Sequence, residues 1–152
     1  MSKRIVKNIF ENSENDKIAI SSENNSKISY RDLKIFVEDI SKQLSGNGIS
    51  NKDRAAIVLP NGPSMATSFL GISSYMSAAP LNPSYKSEEY EFYLKDLNPK
   101  IIIVEKNSNN PSLEVAKKLN IEICELKIHK DQPEGLFDLF DSKSDYLSPN
   151  EN

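Results

Sequence analysis

The sequence predicts an α/β fold: an N-terminal hairpin and helices leading into a mostly parallel sheet flanked by helices. Three observations carry that reading. Short apolar runs alternate with helix-length amphipathic stretches between Arg54 and Leu126. The runs Arg54–Leu59 and Ile101–Val104 lack the polar–apolar alternation of a half-exposed strand, so both are expected to be buried on two faces. The connections between these segments are short, the pattern of consecutive βαβ units.

The elements follow in order. Ile5, Ile9 and Phe10 recur at helical spacing and predict a short amphipathic helix over 3–12. Lys17–Ser21 and Lys27–Tyr30 flank Glu23-Asn24-Asn25, and asparagine tolerates the left-handed backbone of a tight turn, so a β-hairpin is expected. Ser29-Tyr30-Arg31-Asp32 reads as a helix N-cap, and Leu33, Phe36, Val37, Ile40 and Leu44 then form one buried stripe. Gly46 and Gly48 are expected to end this helix, because glycine takes the positive φ of a C-terminal cap.

The strand Arg54–Leu59 stops at Pro60-Asn61-Gly62-Pro63, and Pro63 can open the next helix, to about Met76, with Asn61 or Gly62 as N-cap. Phe69, Leu70, Ile72, Tyr75 and Met76 supply its bulk; Ala66, Ser68, Gly71 and Ser74 keep other surfaces thin for close packing. Ala78–Leu81 reads as a strand, then Ser87 with Glu88 and Glu89 starts a third helix, acidic at its positive dipole end, with Tyr90, Tyr93, Leu94 and Leu97 inward. Asn98-Pro99 ends it before Ile101–Val104. Pro111 begins a last helix with Leu113, Ala116 and Leu119 inward, and Ile121–Leu126 is the last strand. Residues 1–126 thus read as one α/β subdomain. Residues 127–152, with a Phe137-Leu139-Phe140 patch among charges, read as a surface segment or linker.

Composition bounds the function. A chain of 152 residues with 38% hydrophobic and 27% charged residues can bury one core of ordinary size. Its 19 basic and 22 acidic residues are mixed, with no basic stripe for nucleic acid. No apolar run approaches the ~18–20 residues of a membrane span. MSKRIVKNIFENSEND lacks the apolar core of a secretory signal, and LSPNEN matches no targeting tripeptide. Cys124, the single cysteine, fits a reducing, cytoplasmic setting.

The chemical inventory is short. The five glycines form neither a GxxxxGK nor a GxGxxG phosphate cradle. His129, the only histidine, sits in a polar stretch beside lysines and is expected to face solvent. Cys124 reads as a small core residue. Glu88, Glu89 and Glu91 could be called an acid cluster, and the helix start accounts for the first two. Of Tyr75, Tyr85, Tyr90 and Tyr93, which could line a pocket, at least two are expected in the core. No catalytic, cofactor-binding or metal residue is assigned.

A resemblance lies in the order of the motifs. ISYRDL (28–33), DRAAIVLPNGPSMATSFLGI (53–72) and AAPLNPSYKSEEYEFYLKDLNPKIIIV (78–104) are similar, in sequence and spacing, to the opening part of the acyl-adenylate-forming (AMP-binding) superfamily. That superfamily holds acyl-CoA synthetases, peptide-synthetase adenylation domains and luciferases. Ala-Ala-Pro-Leu-Asn with Glu-Phe-Tyr-Leu leans toward its oxalate/4-coumarate-CoA ligase branch. Two positions depart from the pattern: the stretch from Gly71 to Pro80 is about one residue short, and Lys86 stands where a capping Thr is usual, with Ser87 as substitute. The resemblance implies part of the N-terminal domain of an AMP-dependent synthetase. The complete enzyme would use ATP, Mg2+ and CoA to join a carboxylate to AMP and then to CoA. The family's phosphate loop, adenine, magnesium and acyl-pocket residues and catalytic lysine have no matching positions here, so the 152 residues alone are expected to bind no cofactor and to be inactive. The expected partner is the remainder of the synthetase or a complementary fragment, with self-association through exposed apolar surface. Two other readings are a stand-alone or relict interaction domain, and a flavodoxin-like nucleotide binder without its phosphate loop.

Overall fold

The computed structural model describes residues 6–140, apart from the side chains of Lys7 and Ile9. Val6–Phe10 forms a 3-10 helix, shorter and tighter than the helix expected over 3–12; Glu11 and Asn12 form a turn, and Lys3–Ile5 lie outside the described residues. Phe10 is buried against the ring of Tyr30 at 6.5 Å. β1 (Ile18–Ser21) and β2 (Lys27–Ser29) pair antiparallel, and Asn25 takes φ 59° in the turn, as an Asn-rich hairpin requires.

α1 spans Tyr30–Gly46. The Ser29 hydroxyl accepts the Asp32 N–H at 3.1 Å, which satisfies one of the free amides of the first turn. The helix ends in a Schellman motif: Ile49 N–H donates to Leu44 O (3.0 Å) and Gly48 N–H to Ser45 O (3.2 Å). Gly48 carries the positive φ of 75°, while Gly46 is simply the last helical residue. The expected apolar stripe is buried throughout. Asp39 and Gln43 are buried with it.

β3 (Arg54–Val58), β4 (Ser77–Pro80), β5 (Ile101–Val104) and β6 (Glu122–Glu125) form one parallel sheet in the order β4-β3-β5-β6. α2 (Pro63–Ser73), α3 (Ser87–Leu97) and α4 (Ser112–Lys118) are the crossovers. The central strands serve two cores by period-2 alternation. Ala55, Ile57, Ile101 and Ile103 face a first core with α1, α2 and the hairpin; Ala56, Val58, Ile102 and Val104 face a second with α3 and α4. All four residues of β5 are fully buried, at about 1.5–3 kcal/mol per large aliphatic side chain removed from water.

The thin surface of α2 works as its composition implied. A Cβ on Gly71 would lie 3.3 Å from the Ile40 side chain, so glycine is what lets α2 settle onto α1. Thr67 and Ser68 share this buried face, and Phe69 is 41% exposed. At α3 the N-cap is Lys86 and Ser87 is already helical; a lysine offers no acceptor, and the Glu89 carboxylate instead accepts the Lys86 N–H at 2.9 Å. Tyr90 and Leu94 are buried as expected, but Tyr93 is 39% exposed and stacks on Tyr85 at 5.1 Å. Asn98 closes α3 in the left-handed conformation, φ 46°.

Residues 127–140 close the first core. Read as the start of a surface segment, they form a small antiparallel pair, β7 (Lys127–Ile128) and β8 (Phe137–Asp138). Leu136, Phe137 and Leu139 are 1–2% exposed and belong to the first core, Phe137 edge-on to Phe36 at 5.0 Å. The rest of the expected linker, 141–152, lies outside the described residues.

Candidate functional site

In chain order the sheet runs 2-1-3-4, so the chain leaves β3 in one direction for β4 and returns past it to β5. A right-handed crossover puts its helix on opposite faces for opposite directions, which is why α2 covers one face and α3 and α4 the other. The switch point between β3 and β5 leaves a crevice at the strands' carboxyl ends, the usual place for a ligand in an open α/β sheet. The sequence puts Leu59-Pro60-Asn61-Gly62 and Glu105 there. Gly62 caps α2 at φ 154°, a conformation open to glycine, and Pro63 occupies the first helical position.

Two hollows meet at this turn. An open groove of about 520 Å³ runs between Asn61–Pro63 and the hairpin segment Ser21–Asn24, with Glu134 at its side. A tighter cavity of about 110 Å³ lies beneath, sharing Asn61–Pro63 and Glu134 and adding Leu59, Glu105 and Leu126. The charged side chains lining the two are Glu23, Glu105 and Glu134, with no lysine, arginine or histidine among them. A phosphate site needs converging donors or a cation. Neither hollow is lined by a cation, and 110 Å³ would not hold a nucleoside triphosphate. Among the described residues no group of three or more His, Cys, Asp or Glu is placed to hold a metal ion. The crevice offers carbonyl, amide and carboxylate groups beside Leu59, Pro63 and Leu126.

The residues singled out in the sequence lie elsewhere. Tyr75 donates to Ile49 O at 2.8 Å, and Tyr90 to Asn82 O at 2.8 Å, with burial pushing the Tyr90 phenol pKa up. A hydrogen bond with Tyr93 raises that of Tyr85. None of the four tyrosines lines the crevice. Glu91 pairs with Lys95 (2.6 Å) and with Lys118 of α4 (2.9 Å), and these hydrogen bonds hold its carboxyl down to about 2. Cys124 is buried, donates to Leu139 O at 3.2 Å, and burial pushes its thiol up to about 12, the opposite of a nucleophile.

His129 keeps 38% of its side chain exposed, as expected of a residue facing solvent, and also has a buried partner. Its Nε2 lies 2.9 Å from Asp138 Oδ2, and Asp138 is 3% exposed. Asp138 Oδ1 in turn accepts from Gln43 Nε2 at 2.8 Å, and Gln43 Nε2 also donates to Asp39 Oδ2 at 2.6 Å. Sequence reasoning missed this group. Its one signal was the pair of polar residues Asp39 and Gln43, spaced i, i+4 next to the apolar stripe of α1.

Fold and crevice together define a doubly wound α/β scaffold. Residues 8–150 match the model of the AMP-binding enzyme family, and the chain belongs to that family. It is 35% identical over 108 residues to an oxalate–CoA ligase of Arabidopsis thaliana, covering 70% of this chain and 21% of that protein. An oxalate–CoA ligase of Saccharomyces cerevisiae is 32% identical over 113 residues, covering 69% and 21%. Among solved structures, apo MatB from Rhodopseudomonas palustris superposes with a TM-score of 0.72 at 22% identity, over 88% of this chain and 26% of that one. Its ATP-bound form gives 0.71 at 21%, over 88% and 26%. The chain spans about a fifth of the length of the curated relatives it matches. Among the described residues no helix is long and apolar enough to cross a membrane.

Proposed function

We propose that this chain is the N-terminal α/β portion of an ATP-dependent acyl-CoA ligase. The whole enzyme would couple a carboxylate to AMP with release of pyrophosphate, then transfer the acyl group to the thiol of CoA. The observation that carries the reading is the family match over 8–150, joined to relatives named as oxalate–CoA ligases of which the chain spans a fifth. ATP, Mg2+ and CoA belong to the whole enzyme. The role of this portion is to supply a parallel-sheet layer and a packing surface, with the crevice at its strand ends. Its natural partner is the remainder of the ligase, and a small dicarboxylate such as oxalate heads the substrate candidates. The compartment is the cytoplasm.

Two experiments test this. The 152-residue chain is incubated with ATP, Mg2+, CoA and a panel of carboxylates including oxalate. AMP and pyrophosphate should not rise above blank, and turnover would refute the assignment of catalysis to other residues. Separately, residues 8–150 replace the matching stretch of the Arabidopsis oxalate–CoA ligase. A folded chimaera that forms acyl-CoA supports the reading; a folded chimaera that binds ATP and makes no product removes it. Self-association of the isolated chain is a separate expectation, through whatever surface the rest of the ligase would cover. A monomer by sedimentation at all concentrations, with a concentration-independent thermal transition, would exclude that.

A further inference from the structure

The side chain of Gln43 joins α1 to residues 95–97 positions away in the chain. Its Nε2 donates to Asp39 Oδ2 (2.6 Å) and Asp138 Oδ1 (2.8 Å), and its Oε1 accepts the N–H of Leu139 (2.8 Å) and of Phe140 (3.3 Å). A carboxamide has two N–H donors and two acceptor sites, and all four are used. Gln43, Asp39 and Asp138 are 4%, 5% and 3% exposed. Burying such groups in place of a leucine brings little net stability, and what it does bring is a fixed position, because each bond is directional and each lost partner is costly.

We propose that residues 127–140 are a strap laid over the first core, and that the Gln43 carboxamide is the pin that sets its register. The other fastenings support a strap. Thr67 Oγ1 donates to Gly135 O at 2.6 Å, Glu134 N–H to Ser26 Oγ at 2.7 Å, and the Cys124 thiol to Leu139 O at 3.2 Å. The strap thus touches α2, the hairpin and β6 as well as α1. Phe137 against Phe36 fixes its depth. An apolar contact tolerates sliding; a carboxamide gripping two successive amides and the carboxylate before them does not. The pin itself is defined, and tested, on the 152-residue chain.

The test is site-resolved amide exchange by NMR. In Gln43→Leu, which keeps the volume and loses the bonds, Leu139 and Phe140 amides should exchange at least tenfold faster, while Ile57 and Ile103 in the sheet change less than twofold. Unchanged Leu139 and Phe140, or equal acceleration everywhere, would overturn the proposal. Where that variant fails to fold, the wild type decides. The Gln43 carboxamide protons should be protected from exchange and show NOEs to the Leu139 and Phe140 amide protons. A rapidly exchanging carboxamide without those NOEs would overturn it.

Discussion

The two faces of the sheet are closed by different means. The second is covered by α3 and α4, each adjacent in sequence to the strands it packs on, through an apolar core and a surface carboxylate, Glu91, shared between Lys95 and Lys118. The first is covered by α1, α2 and the hairpin, and then by a strap from the far end of the chain held through buried polar groups. Local closure needs only amphipathic helices of the right length. Closure by a distant segment needs something that specifies where it lands, and here that is side chain–backbone hydrogen bonding.

Neighbouring residues on β5 probe this contrast most strongly. Ile103 faces the first core and Ile102 the second, both fully buried. Truncation of either to alanine should cost about 2–5 kcal/mol in urea unfolding. Ile103→Ala should be the costlier, because bonded groups at 2.6–2.8 Å restrain the strap from collapsing into a cavity. A larger loss for Ile102→Ala would reverse the comparison. Next comes Gly135→Ala. Gly135 has φ 102°, and a Cβ there would meet Pro63 Cβ at 2.9 Å and the Pro63 carbonyl carbon at 3.2 Å. The substitution should cost about 1–3 kcal/mol and loosen the strap while leaving exchange in α3 unchanged.

A smaller effect is expected at Cys124. With its thiol pushed up to about 12 from a reference of 9.0, it should resist a thiol reagent at pH 8 until the protein unfolds. Its contribution to stability is complete below pH 9.0 and drains away as pH rises from there through about 12, since only the unfolded chain ionises it readily. Rapid labelling of folded protein would mean that the strap does not shield β6. The smallest effect belongs to Glu91, half-buried between its two lysines. Its carboxylate resonance should titrate near pH 2, so its contribution is present above the ordinary carboxylate range and is lost as pH falls through about 2. Glu91→Gln should lower stability only slightly, and less still in high salt.

Legibility in the sequence followed the same division. The Ser29 cap, the stripe Leu33–Leu44, the Pro63 helix start and the Ile101–Val104 strand were readable because their signals are local: spacing, a cap residue, a proline, an apolar run. Tyr93 misled, since its helical spacing fits the inner face of α3 while a stacking partner, Tyr85, draws it to the rim. The links joining Gln43, Asp138 and His129 were unreadable because each residue looks like an ordinary polar surface residue until a partner far along the chain is known. The crevice was only half visible. Pro60-Asn61-Gly62-Pro63 announced a turn, but that it faces Glu105 and Glu134 depends on strand order, which no local pattern encodes.

Because β5 feeds both cores, Ile101–Val104 carries no charge on either face, and its four residues would be as content in a stack of identical strands as in this sheet. Pro99 and Lys100 stand directly before it and Glu105 and Lys106 directly after. A proline and three charges at the ends of an uncharged β-run act as gatekeepers, admitting the intramolecular neighbours while making lateral addition of another chain costly. The strand that gives the fold its centre is also its chief aggregation hazard during synthesis, and the guard against that hazard lies in the four residues that border it.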